Sequence, residues 1–171
     1  MTRHTMAGTT LAAALAAGLL LAGAAPAAQA ATAGGTFGPH GYGGVRLGMS
    51  AKAAKATGRI THKRGTDSGT CTGWELKAHP AGRDAVGLYI SKKHGVAMIF
   101  APKGARTPAG IGLGSTRTQL KRAYPKLKTA ASGFPYIKAP GNPKAYYAFL
   151  LNGKGRIYQI ALALDNQDCA N

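Results

Sequence analysis

One short segment carries the residue types of a serine nucleophile. Ser68 lies in the run Thr-Asp-Ser-Gly at 66–69, and an Asp-Ser-Gly run also surrounds a protease nucleophile. A serine hydrolase further needs a histidine beside the serine and a carboxylate that orients the histidine. His40 and His62 lie in segments rich in Gly, Thr and Lys, and no oxyanion-hole motif accompanies them. We therefore interpret 66–69 as a polar loop that precedes Cys71.

Other catalytic and metal chemistries find no matching pattern either. Glycoside hydrolysis needs two opposed carboxyl groups, whereas the closest acidic pair, Asp165 and Asp168, lies in the C-terminal tail. The Gly-rich stretch 34–48 lacks the Gly-Lys-Ser/Thr of a phosphate-binding loop. We predict a protein that is not an enzyme, with no catalytic residue, no metal and no cofactor. The histidines that follow the first 30 residues are far apart and match no zinc spacing: His40, His62, His79 and His94.

The two cysteines predict a structural disulfide. Cys71 and Cys169 are the only cysteines of the chain, and neither a Cys-x-x-Cys motif nor a Cys/His cluster is present. In an oxidising compartment such a pair is expected to join. Closing a loop of about 100 residues contributes up to about 4.7 kcal/mol of stability in the chain-entropy description.

Alternation along the predicted strands separates a core face from a second face. Val86, Leu88 and Ile90 point one way, as do the second-half residues Tyr147, Phe149 and Leu151, and we predict these as core. Aromatic residues on an open sheet face are typical anchors of protein interfaces, although they are also common on half-buried sheets. The predicted partner-binding residues are those on the second face: Tyr89, Tyr146 and Gln159.

A repeated motif organises the elements that position these residues. The segment 44–50 (GVRLGMS) is echoed 66 positions later by 110–116 (GIGLGST), and each copy opens a helical pattern. Ser50 is a predicted N-cap for a helix over 51–57. Thr116 and Gln119 form a capping-box pattern for a second helix, which Pro125 ends.

Strand patterns follow each predicted helix. Segments 92–95 and 152–155 have the length of hairpin turns, and the Pro-flanked stretch 102–108 links the two halves. We predict an α+β fold of two tandem repeats, about 44–101 and 110–169. Each repeat is a helix followed by an antiparallel meander, and the two share one curved sheet with both helices on one face. The predicted strands are 74–77, 86–90, 96–100, 134–137, 146–151 and 157–164.

The motif Gly-x-x-x-Gly-Met-Ser, repeated before antiparallel strands, resembles the repeat of the β-lactamase inhibitory protein family. It is also similar to the small-lipoprotein domain of bacterial envelope proteins and to repeats in secreted actinobacterial proteins of unknown function. The resemblance spans about 43–169 and implies a curved sheet, of up to eight strands, whose concave face binds a protein. Two departures are visible. Ala53 replaces the acid or amide expected after Ser50, and this chain can form one disulfide where the inhibitor has one in each half.

Charge suggests a second kind of partner. The chain has 22 Lys and Arg against five Asp and Glu, a formal net charge of +17. The bases are scattered rather than concentrated in a block, which argues against a nucleic-acid-binding tail. A field of this sign still attracts polyanions such as anionic wall polymers. The alternative interpretation is that the cations keep an exported protein soluble.

The first 30 residues predict export. Arg3 and His4 precede an apolar run over 11–21, and Ala28-Gln29-Ala30 has the small-x-small pattern of a signal-peptidase site. No apolar stretch reaches the roughly 20 residues of a membrane span. We therefore predict a signal peptide at 1–30, a flexible Gly-rich segment at 31–43 and a single domain at 44–171. The mature protein would be a secreted, extracellular monomer that binds an extracellular protein, inhibitor-like, or alternatively an anionic wall polymer.

Overall fold

The structure is a computed structural model that describes Met1 and residues 35–170. Apart from Met1, the predicted signal peptide lies outside the described residues, as do residues 31–34. The described residues contain two helices, α1 (Ala51–Ala56) and α2 (Arg117–Ala123). Their strands, in chain order, are β1 Gly41–Tyr42, β2 Val45–Arg46, β3 Ile60–His62, β4 Cys71–Leu76, β5 Leu88–Ser91, β6 Gly95–Phe100, β7 Lys128–Thr129, β8 Pro135–Ala139, β9 Asn142–Leu151 and β10 Ile157–Leu164.

Eight of these strands form one antiparallel sheet. Their order is β3-β4-β5-β6-β10-β9-β8-β7, and β1 pairs with β2 in a separate small hairpin. The sheet is continuous because β6 pairs with β10, with Ile99 opposite Leu162 and Met98 opposite Ala163. The fold is therefore mostly antiparallel sheet with two short helices, which confirms the coarse fold class predicted from the sequence.

The main core lies on one face of the sheet. It joins Leu88 of β5 and Ile99 of β6 to Phe149 of β9, and all three are fully buried. Each helix adds one buried residue to the same cluster, Ala54 from α1 and Leu120 from α2. Helices of six and seven residues are too short to be stable alone, so this packing holds them in place. Four of the residues predicted as core are buried in this cluster, and Leu151 packs at its margin, whereas Val86 is buried outside it: Val86, Leu88, Ile90, Tyr147, Phe149 and Leu151.

Both helices begin where their caps predict. The Ser50 hydroxyl accepts a hydrogen bond from the backbone N–H of Ala53 at 3.1 Å. At α2, the Thr116 hydroxyl accepts from the Gln119 N–H, and the Gln119 side chain accepts from the Thr116 N–H at 2.8 Å. The second arrangement is a complete capping box, whereas Ala53 leaves α1 with a single side-chain cap.

The segment before residue 44 differs from the flexible stretch expected over 31–43. From residue 35 onward it packs on the domain, because Phe37 is a large apolar side chain that becomes fully buried. The Phe37 N–H donates to the Arg106 carbonyl at 2.7 Å, and the Tyr147 hydroxyl donates to the Phe37 carbonyl at 2.8 Å. The packed part of the chain thus begins earlier than the composition suggested.

The predicted disulfide is present. Cys71 on β4 is joined to Cys169, and the two Cα atoms are 5.5 Å apart. Because β4 and β10 are separated by β5 and β6, the bond carries the C-terminal tail across two strands. Asp168 supports this placement by accepting a hydrogen bond from the Thr70 hydroxyl at 3.2 Å.

Removing this bond should destabilise the domain without changing its fold. We expect C71A/C169A to lower the free energy of unfolding by about 2–4 kcal/mol, because the unfolded chain regains the freedom of a long loop. Urea unfolding with and without reductant measures this effect. The reductant should destabilise the native chain and leave the double variant unchanged. Equal stability of the native chain under both conditions would contradict the prediction.

Two glycines at hairpin turns provide a matched pair. Gly95, the first residue of β6, and Gly155, between β9 and β10, both have φ of +68°. A Cβ atom at Gly95 would overlap the Met49 carbonyl oxygen, whereas one at Gly155 would meet nothing within 4 Å. Only Gly95 is therefore constrained by a close backbone approach as well as by its conformation.

We expect G155A to cost about 1–2 kcal/mol, the strain of a left-handed alanine. G95A should cost more than about 3 kcal/mol, because the segment around Met49 must also move. Thermal or urea unfolding of the two variants in parallel tests the difference. Equal losses of stability in the two variants would show that the segment around Met49 can move without a free-energy cost.

Candidate functional site

The face of the sheet opposite the helices carries a row of four paired residues. Tyr89 of β5 lies opposite Met98 of β6, Met98 lies opposite Ala163 of β10, and Ala163 lies opposite Tyr146 of β9. The row therefore has a tyrosine at each end and small or flexible side chains between them.

A second row runs beside the first. Phe100 of β6 lies opposite Ala161 of β10, Ala161 lies opposite Ala148 of β9, and Ala148 lies opposite Tyr136 of β8. At each end, an aromatic ring of the first row packs against an aromatic ring of the second. The Tyr89 and Phe100 centroids are 6.1 Å apart, and those of Tyr136 and Tyr146 are 6.2 Å apart, both edge to face.

Alanines thus form a low floor between two aromatic walls. The result is a concave depression of about 1710 Å³, which we call the aromatic groove. It also reaches Leu150 and Tyr158, and Tyr158 is half exposed, at 51%. Ala161 and Ala163 are buried together with Met98, so the floor is a small second core beneath the groove.

All three residues predicted to bind a partner line this groove. Tyr89 and Tyr146 stand on opposite walls, and Gln159 lies on β10, opposite Leu150. The side-chain amide of Gln159 makes no hydrogen bond within the described part of the chain, so it is available to a ligand. Burial raises the pKa of Tyr146, and the hydrogen bond of its hydroxyl with Gln167 opposes this shift. That these residues bind a partner stays a prediction.

Four aromatic residues of the groove were not selected from the sequence. Phe100 and Tyr136 complete its walls, and Phe134 and Tyr158 extend it. Alternation could have placed Phe100 beside Met98 on the second face, because they are two residues apart on one strand. Tyr136 needs the cross-strand register with β9, which sequence spacing does not supply.

The groove is close to electrically neutral. Four ionised side chains line it: Asp84, Lys103, Lys138 and Asp165. Lys138 and Asp165 form an ion pair there. Two acids and two bases balance in this region, although the chain as a whole carries +17. Contacts in the groove should therefore depend on apolar area and shape more than on charge.

Near Ser68, two of the three side chains of a serine-hydrolase triad are in contact, a histidine and a carboxylate. His62 and Asp67 are paired at 3.0 Å, and the Asp67 carboxylate also accepts the Gly73 N–H at 3.1 Å. However, no hydrogen bond joins His62 to Ser68 within the described chain, and the Ser68 N–H donates to the Cys71 carbonyl. The His62 ring packs against Trp74, with centroids 5.0 Å apart. This geometry fits a loop anchor better than a nucleophile.

One cluster has the atom types of a metal site. Cys71, Cys169 and Asp168 place ligand atoms within 4.8 Å of one another. Both sulfurs are used in the disulfide, so they are not thiolates that could bind a cation. The cluster is therefore a covalent anchor for the C-terminal tail.

Comparison of the chain with family models, with curated proteins and with solved structures finds no match. In the part of the chain that the structure describes, neither helix is long and apolar enough to cross a membrane.

The Asp67 pair predicts a specific dependence on pH. The hydrogen bond from His62, and then that from the Gly73 N–H, hold the pKa of Asp67 below its usual value. A carboxyl whose folded pKa is depressed stabilises the fold above its unfolded pKa of about 3.9, and this stability is lost as pH falls through the folded value. We expect D67N to be less stable than the native chain at neutral pH.

The difference should shrink towards zero as the pH falls below the folded pKa of Asp67, because the carboxyl of the native chain is then protonated. Urea unfolding across this range measures it. D84N is the control, because Asp84 is exposed and its carboxylate makes no hydrogen bond or ion pair with the described residues. A D67N deficit that is constant with pH would contradict the pairing.

Proposed function

We propose that this chain is a secreted, non-catalytic module that captures an extracellular protein in the aromatic groove, as an inhibitor does. The observation that carries the proposal is a neutral, aromatic-walled depression on a strongly basic chain. The need to keep a basic protein soluble does not account for two pairs of aromatic rings on an open sheet face. Tyrosine is enriched among the residues that contribute most to protein interfaces.

The size of the groove favours a protein over a small molecule. Pockets for drug-sized ligands measure roughly 300–1,000 Å³ and enclose most of the ligand. At about 1710 Å³, this groove spans five strands, β5, β6, β10, β9 and β8. A loop or strand of another protein fits those dimensions, with its backbone over the alanine floor and its side chains against the walls.

The hydrogen bonding of the two motif copies supports a tandem repeat. In the first half, the Gly48 N–H donates to the Val96 carbonyl at 2.9 Å, and the Val96 N–H donates to the Met49 carbonyl at 2.8 Å. In the second half, Gly114, Ile157 and Ser115 make the same pair of bonds at 2.7 and 2.9 Å. Each copy thus binds the last strand of its own half.

Strand order is consistent with the same proposal. Each half contributes a helix and four strands of the eight-stranded sheet, and the two orders, β3-β4-β5-β6 and β7-β8-β9-β10, meet at their last strands. We propose two repeats, about 44–101 and 110–169, within one domain that also includes residues 35–43, related to the β-lactamase inhibitory protein family. Eight strands and a concave face are what that resemblance implies. The departure is the single disulfide, which links the two halves instead of closing each one.

Removing one ring from each wall tests the binding proposal. Immobilised protein should retain a partner from the culture supernatant of the organism that makes it, in about 0.5 M salt, where surface charge is strongly screened. We expect Y89A/Y146A to weaken that complex at least about 30-fold, because the loss of even one tyrosine anchor costs about 2 kcal/mol or more. The measurement is the dissociation constant of the purified partner.

Two control variants sharpen the result. Y146F keeps the ring and should retain most of the affinity, whereas T118A changes an exposed residue of α2 and should retain all of it. Unfolding curves show whether Y89A/Y146A is still folded. Equal affinity of the folded double variant, or a complex that dissociates at high salt, would contradict binding in the groove.

A further inference from the structure

Positive charge is concentrated in one stretch of the chain. Residues 85–164 contain thirteen Lys and Arg and no Asp or Glu. This stretch includes α2, the link between the halves and the β9–β10 turn. A solvated surface normally mixes both signs of charge, so eighty residues without a carboxylate need a separate explanation.

Folding brings two of these segments together. The Arg117 N–H at the start of α2 donates to the Gly155 carbonyl of the β9–β10 turn at 2.9 Å. The Arg156 guanidinium donates to the Gly114 carbonyl, also at 2.9 Å, just before the helix. The turn that carries Lys154 is thereby fixed beside the first residue of α2.

Lys121 lies one turn after Arg117, so both point to the same side of α2. The link between the halves adds a third segment, through Arg106. Arg122 lines a depression of about 310 Å³ together with Arg106, and Arg106 is fixed by a bond from its guanidinium to the Gly110 carbonyl at 2.8 Å. We call the six exposed cations the α2 cluster: Arg106, Arg117, Lys121, Arg122, Lys154 and Arg156.

No acid neutralises this cluster. The three ion pairs among the described residues use His62, Lys63 and Lys138, and none of the six cluster residues. All five acids are placed elsewhere: Asp67 and Glu75 beside β3 and β4, Asp84 and Asp165 in the aromatic groove, and Asp168 at the disulfide. The cluster is also separate from the groove, because none of its residues lines it.

We propose that the α2 cluster binds a linear phosphate polymer. Four of its six cations are arginines, whose planar guanidinium pairs with phosphate through two parallel hydrogen bonds. Because the cations come from three segments, they suit a chain of anions better than a single ion. Tyr124 of this region is buried, and the half-exposed Tyr158, two residues after Arg156, lines the aromatic groove. Single-stranded nucleic acid is bound by several rings on which successive bases stack, so one ring beside the cluster favours phosphate contacts over base stacking.

Inorganic polyphosphate is the probe. We expect R117Q/K121Q/R122Q/K154Q to bind it at least about tenfold more weakly than the native chain at low salt, with a shallower dependence on salt concentration, because fewer counterions are released. These four side chains make no hydrogen bond to the described residues, so their replacement should leave the fold intact. Unfolding curves check this.

The matched control removes the same charge from the first half. K52Q/K77Q/K92Q/K93Q neutralises four exposed lysines outside the cluster and should lose less than about threefold in affinity. Equal weakening of both variants would overturn the proposal and assign binding to net charge alone. Failure of the native chain to bind polyphosphate would overturn it outright.

Competing polymers test the chemistry of the ligand. Poly-glutamate of matched length should bind at least about tenfold more weakly than polyphosphate, because polyphosphate carries a charge on every phosphorus and so presents a higher charge density to the cluster. Tighter binding of poly-glutamate or of single-stranded DNA would overturn the phosphate assignment. The Y89A/Y146A variant should bind polyphosphate as the native chain does. Failure of the groove proposal would therefore leave the polyphosphate proposal unaffected, and the reverse also holds.

Discussion

The pairing of β6 with β10 is the contact on which the rest of the molecule depends. Three residue pairs join the strands, and every side chain in them except Phe100 is buried. On the helix side, Ile99 and Leu162 unite the apolar residues of both halves into one core. On the other side, Met98 and Ala161 form the floor of the aromatic groove, with Ala163 buried beside them. If this pairing were lost, each half would expose an unpaired strand edge and half of a core.

Much of the fold follows from local patterns. The helix starts, the longer strands and the core face were predicted because caps and alternation act over a few residues. The edge strands β3 and β7 were missed: Ile60–His62 and Lys128–Thr129 are short and mostly polar, and only pairing with a neighbour makes them strands. Phe37 was missed for the opposite reason, since a single apolar residue among glycines has no period to indicate burial.

The two surfaces differ in how far sequence could predict them. Alternation places Tyr89 and Tyr146 on one face and could also have placed Phe100 there, but Tyr136 completes its wall only through the cross-strand register with Ala148. The α2 cluster needs the contact between Arg117 and Gly155, which lie 38 residues apart in the chain. The scattered appearance of the bases along the sequence therefore hides their concentration on one side of the fold.

The alanine floor has a consequence for how such a protein can diverge. The depth of the groove is set by the small side chains of Ala148 and Ala161, while the neighbouring residues on the same strands fill the main core on the other face. A larger residue at either position would reshape the groove and leave Tyr147, Ile160 and Leu162 in place. The proposed binding surface and the core thus use alternate residues of the same strands, so that substitutions can alter one with little effect on the other.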